Sequence, residues 1–255
     1  MAITTVNQIY NPISGVFGSG NIMVYAGSTN PSAVAQTSTT FTWTVPAGVD
    51  AVRVRLWGGG GYLNGAGGGF AIKSIYGLSG TTSVLITVGF GGNSVTVNGA
   101  TSSFGSFVSA TGGVSANTTV GTGIGGDINT SGGAGSTAAQ AGGGGVGSIF
   151  GNGASAASNN FALNTYGGAG AGVYELNIQG VAGFIGAGSG DNSQSQAGGM
   201  NQFSIDFIGT GGGGSQFASG RNGGGGGRQA HGGMPGGGGG SVSGLGAPGL
   251  VIVEW

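Results

Sequence analysis

Apolar and polar side chains alternate along residues 41–57. The stretch FTWTV sets Phe41, Trp43 and Val45 on one side and Thr42 and Thr44 on the other. A period of two is that of a strand with one buried face. Pro46 and Gly48 predict a turn. VRVRLW then turns Val52, Val54 and Leu56 inward and Arg53, Arg55 and Trp57 to the opposite face. GFAIKSIYG, SVLITVG and SSFGSFVSA follow, rich in β-branched and aromatic residues and bounded by glycine, and predict further strands. No segment carries a helical stripe. Strand centres about 10–15 residues apart predict an all-β fold, a β-sandwich or a jelly-roll-like sheet.

The alternation stops abruptly at residue 57. DAVRVRLWGGGGYLNGAGGGF (50–70) passes from a strand into glycine, and glycine supplies 68 of the 255 residues. Runs at 142–145, 211–214, 223–227 and 236–240 punctuate the second half, without the strict Gly-X-Y period of collagen. Each ordered glycine costs about 0.5–1 kcal/mol of extra backbone entropy against alanine. With no side chain to bury, the compensating source is backbone packed on backbone. Extended three-residue-per-turn segments make no internal hydrogen bonds, so their groups are free to pair sideways, and buried backbone groups must be paired. The sequence therefore predicts a compact stack of extended glycine segments, polyproline II-like or short β. GLVIVEW (249–255) returns to a strand that pairs back into the first sheet. The predicted organisation is an N-terminal arm over 1–40 and a glycine-rich β domain over 41–255. That domain divides into strands at 41–110, a glycine-rich body at 111–248 and a closing strand at 249–255.

The arm is polar, with apolar islands at Val6–Tyr10 and Ile22–Tyr25 and interruptions at Pro12 and Pro31. It is too poor in apolar residues for a core of its own. It reads either as a loose tail or as an arm that orders against a partner or another subunit.

Charge narrows the function classes. Charged residues are 4% of the chain, the formal net charge is −1, and five basic residues cannot form a phosphate-binding patch. Nucleic acid is excluded as a partner. No basic stretch followed by an apolar run marks a signal peptide, and no segment is long and apolar enough to span a membrane. With no cysteine and one histidine, His231, neither thiolate chemistry nor a His-rich metal site is available. GTGIGG (121–126) fits G-x-G-x-x-G, but bridges no clear strand and helix, as dinucleotide binding requires. The six carboxylates, Asp50, Asp127, Glu175, Asp191, Asp206 and Glu254, show no spacing that suggests a glycosidase pair. GIGGDI resembles a calcium-binding turn, yet occurs once where such arrays repeat. The expectation is a non-enzymatic chain without cofactor or metal.

Three inserts interrupt the glycine: NGASAASNNFALNTY (152–166), VYELNIQGVAGFI (173–185) and SGDNSQSQAGGMNQFSIDFI (189–208). Taken with FTWTVPAGVDAVRVRLWGGGG, GGGFAIKSIYGLSGTTSVLITVGFGG, NGATSSFGSFVSATGG and a terminal GAPGLVIVEW, the order of pieces over residues 40–255 resembles the glycine-rich domain of bacteriophage tail-fibre and tail-tip proteins. The resemblance implies a virion protein at or near the tail tip, a homo-oligomer with a trimer favoured, that helps recognise the host surface through loops between glycine segments. It also implies a bacterial surface polysaccharide or outer-membrane protein as receptor, with residues 1–40 mounting the chain on other tail or baseplate proteins. The candidate receptor-binding residues are Tyr166, Tyr174, Phe184, Asn192, Gln194 and Gln196 on the inserts, and Arg221, Arg228 and His231 in one glycine-rich loop. The alternative is a purely structural virion component (baseplate, capsid or fibre shaft) with no receptor-binding role. An ice- or silk-like glycine protein is disfavoured, because it needs flat, regular, threonine-rich faces that the sequence does not display.

Overall fold

The computed structural model describes residues 21–30, 32, 34–80, 82–115, 119–135, 142–156, 208–209, 219–220, 222–226, 229–241 and 243–255. Among them ten strands form two antiparallel sheets and there is no helix. Sheet A has the order β1-β10-β3-β4-β9, from Ile22–Ala26, Leu250–Glu254, Ala51–Trp57, Phe70–Tyr76 and Ile128–Thr130. Sheet B has the order β2-β5-β6-β7-β8, from Thr39–Thr44, Ser83–Val88, Ser102–Phe104, Val108–Ala110 and Gly123–Ile124. The chain is all-β, as its alternation predicts, and the sheets form a sandwich.

The inner faces are those the period of two assigns. Trp43, Val45, Val52, Val54, Leu56, Ile86, Val88, Phe104, Val251 and Val253 share one buried cluster. Trp43 lies 5.7 Å from both Phe104 and Trp255, centroid to centroid. The closing strand is central rather than marginal: β10 lies between β1 and β3, with Val253 opposite Val54 and Met23.

Sheet A is covered on its outer face too. Trp57, Phe70, Ile72, Leu250 and Ile252 form a second buried cluster with Val146, and Ile149 and Ile208 pack against it. Trp57 Nε1 donates to Gly147 O at 3.2 Å. This two-sided burial explains the unbroken apolar run Leu250–Val253, since only strands buried on one face need alternate. Arg55 and Glu254 are buried on this face as well, with Arg55 Nε 3.0 Å from Glu254 Oε1 and Arg53 3.8 Å from the same carboxylate.

Three features depart from the sequence reading. SSFGSFVSA is a hairpin of β6 and β7 rather than one strand, because Gly105 takes a positive φ of 52° and turns the chain. Residues 22–26 of the N-terminal stretch pair with β10 of the same chain. GIGGDI joins the two sheets: β8 belongs to sheet B and β9 to sheet A, and the turn between them closes one side of the sandwich. Asp127 accepts the Ser74 N–H at 2.7 Å, and Lys73 Nζ donates to Gly125 O at 2.7 Å, so the carboxylate fastens a turn.

Beyond the sheets the chain enters a bundle of glycine segments whose hydrogen bonds repeat every three residues. Gly65 and Gly68 donate to Gly239 and Gly236, Ala66 and Gly69 to Val114 and Thr111, and Gly67 between them to Gly133. Gly143 and Val146 donate to Gly226 and Gly223, Gly144 and Gly147 to Gly65 and Gly68, and Gly145 to Ala154. Donors three apart reach the same neighbour, and those between them reach others. That is the symmetry of polyproline II, with three residues per turn, and it decides between the two expected conformations. Residues 152–156 belong to this bundle rather than to a loop: Gly153 donates to Ser131 O and Ala156 to Ala134 O.

Candidate functional site

Two glycine segments leave a strand, run away from the sandwich and turn back. β3 continues into 58–61, turns at 62–64 and returns through 65–69 to β4. β5 continues into 89–92 and turns over 93–98. The turns meet at one pole. Tyr62 N–H donates to Val97 O at 2.8 Å and Leu63 N–H to Gly244 O at 3.1 Å. Ser115 N–H donates to Asn98 Oδ1 at 3.0 Å. Leu63 and Asn64 take positive φ of 47° and 55°, reversing the chain within three residues.

Asn93 organises the pole. It is fully buried. Its Oδ1 accepts the Val95 and Thr96 N–H groups at 3.0 and 2.8 Å, a turn that asparagine favours. Its Nδ2 faces the carbonyls of Asn30, Ser32 and Val34 at 3.2, 3.1 and 2.8 Å. One side chain thereby fastens the 29–36 loop onto the 93–98 turn. Gln36 adds a second tie, its N–H donating to Thr96 Oγ1 at 3.0 Å. Around this knot Val34, Val95 and Val97 stay exposed at 47%, 53% and 42%. The pole is thus rigid, partly apolar and almost free of charge: Tyr62 and His231 are its only titratable side chains among the described residues.

Asn93→Ala takes the acceptor from the Val95 and Thr96 N–H groups and cuts its tie to the 29–36 loop, although the Asn30 and Val34 carbonyls still accept from Gln36 Nε2 and the Ser32 carbonyl from Val34 N–H. It should cost about 1–2 kcal/mol, the net worth of the hydrogen bonds lost. Chemical denaturation reads the loss, and limited proteolysis should then cut within 29–36.

Of the candidate receptor-binding residues, His231 is described, and it lies at the pole. Its Nδ1 accepts the Leu245 N–H at 2.9 Å, and its carbonyl accepts from Gly220 at 3.2 Å. Loss of hydration holds the imidazole below its ordinary pKa. The fold therefore favours neutral His231, so its contribution is complete above the ordinary value of 6.5 and drains away as the pH falls below it. The melting temperature of wild type should fall more between pH 7 and pH 5 than that of His231→Gln. Tyr166, Tyr174, Phe184, Asn192, Gln194, Gln196, Arg221 and Arg228 lie outside the described residues. Asn93, which the sequence reading passed over, was signalled by the Gly-Gly-Asn-Ser turn ahead of an alternating VTV.

Among the described residues no three His, Asp or Glu side chains come together as a metal site. GTGIGG runs along β8 into the Gly125 turn and opens no helix.

Fold and pole define the class: an all-β sandwich prolonged by a polyproline II glycine bundle. The model of the glycine-rich domain family matches residues 36–255, and the chain belongs to that family. The match takes in β2 through β10 and begins after β1. Comparison with curated proteins finds no match.

Proposed function

We propose that the chain is a non-enzymatic bacteriophage virion protein, a tail-fibre or tail-tip adhesin that contributes to host recognition through loops on its glycine scaffold. The observation that carries this reading is the convergence of turns at one pole, held by backbone packing and the Asn93 knot. Such a scaffold lets loop sequence vary without disturbing the segments beneath. A preorganised surface also loses little freedom on binding. Near-absence of charge among the described residues of the pole suits an uncharged target, either a bacterial surface polysaccharide or the loops of an outer-membrane protein. The N-terminal stretch would mount the sandwich end on other tail or baseplate proteins.

The test is competition. Purified protein preincubated with host cells should block adsorption of the phage, and Val95→Glu with Val97→Glu should abolish the block while leaving the melting temperature unchanged. Full adsorption in the presence of saturating wild-type protein contradicts the proposal. The second reading, a purely structural virion component, draws on the side of the sandwich that ends in the edge strands β1 and β2. It predicts no block and burial of the pole between proteins in an image of the particle.

A further inference from the structure

The two sides of the sandwich differ. One is closed by the Gly125–Asp127 turn and its Lys73 and Asp127 ties. The other ends in two edge strands, β1 and β2, brought together by Tyr25 and Phe41 with ring centroids 5.0 Å apart. Edge strands of soluble proteins are ordinarily protected by lysine, proline, a bulge or a cover. β2, Thr39–Thr44, carries no lysine, proline or bulge, its Thr40, Thr42 and Thr44 are exposed, and no strand among the described residues covers its outer edge. Val45 N–H donates to Thr82 O at 2.9 Å. By the alternation of an antiparallel ladder, the odd-numbered residues then bond β5, and Thr40, Thr42 and Thr44 turn their N–H and C=O groups away from it.

From this geometry we infer that β2 pairs antiparallel with β2 of a second copy of the chain, on a two-fold axis at Thr42. The sequence of the strand is chemically its own reverse about that residue: Thr40, Phe41, Thr42, Trp43, Thr44. In the register that places Thr42 opposite itself, Thr40 meets Thr44 and Phe41 meets Trp43. Every outward backbone group then finds a partner. Threonine pairs lie on the outer face and aromatic pairs on the inner, both favourable across strands. The neighbouring surface does not oppose it. The outer face of sheet B carries Thr40, Thr87, Ser103 and Ser109 in one row across four strands, with Leu85 beside them and no charged side chain on that face of its strands. This face is richer in threonine and serine than the sequence reading allowed. Two such sheets joined at β2 make one continuous ten-stranded sheet.

The absence of cysteine makes the test direct. Facing residues of a hydrogen-bonded pair have Cα atoms about 5.5 Å apart, within disulfide reach. Thr42→Cys should cross-link into a covalent dimer on mild oxidation, and Leu85→Cys, one strand further from the axis, should not. Light scattering across a dilution series should give a dimer for wild type. Thr42→Lys, which leaves the β5 ladder intact, should give a monomer with an unchanged circular dichroism spectrum and melting curve. A wild-type protein that is monomeric at every concentration overturns the inference. So does a trimer, or a dimer that survives Thr42→Lys.

Discussion

Gly67→Ala should destabilise the protein by about 3 kcal/mol, near the upper end for an overpacking substitution. Gly67 has ordinary φ, so the cost is not conformational strain. Its N–H donates to Gly133, its carbonyl accepts from Gly121, and a Cβ would fall on Gly145 O and C, under 3.0 Å. The obstacle is backbone, held in turn by the Gly145 bond to Ala154. No rotamer change can relieve it. Gly77 provides the contrast. It has a positive φ of 75° and open space around it, so Gly77→Ala should cost only about 1–2 kcal/mol of left-handed strain. Chemical denaturation of both variants should rank them in that order. Equal losses would mean that glycine serves conformation here and not close packing.

Glu254→Gln should cost about 3 kcal/mol, a large effect for a change that keeps the side chain's volume. It withdraws the carboxylate that buried Arg55 faces at 3.0 Å, on the covered outer face of sheet A. Desolvating a guanidinium beside a neutral amide is expensive, whereas removing both charges is often neutral. The double variant Arg55→Met, Glu254→Leu should therefore recover most of the loss. Denaturation midpoints of the single and double variants check this. A single variant within about 0.5 kcal/mol of wild type would show that the pair behaves as a surface bridge.

These two sites also mark where the sequence was legible. Alternation at Phe41–Val45 and Val52–Leu56 assigned the inner faces correctly, because one buried face imposes a period of two. The same rule placed Arg53, Arg55 and Trp57 on the opposite face, yet could not tell that this face is covered. Its cover, Val146 with Ile149 and Ile208, arrives from distant segments and leaves no periodic trace beside the strand. The backbone argument correctly anticipated packed glycine segments. It could not choose between polyproline II and β, since glycine carries no side-chain pattern; only the three-residue repeat of donors decides. β8 and β9 are two and three residues long, too short for alternation to register. Asn93 was legible as a turn residue but not as the hub of a loop sixty residues earlier in the chain.

Among the described residues the glycine segments are a hydrogen-bonded solid and not a flexible filler. Amide hydrogen exchange followed by NMR tests it residue by residue. Gly59, Gly67, Gly144 and Gly238 each donate to a neighbouring segment at 2.9 Å. Their amides should exchange only through global opening, as slowly as those of Val54 and Ile252 in the sheet. Exchange of these four glycines at the rate of an unstructured peptide, while the strands stay protected, would contradict the account.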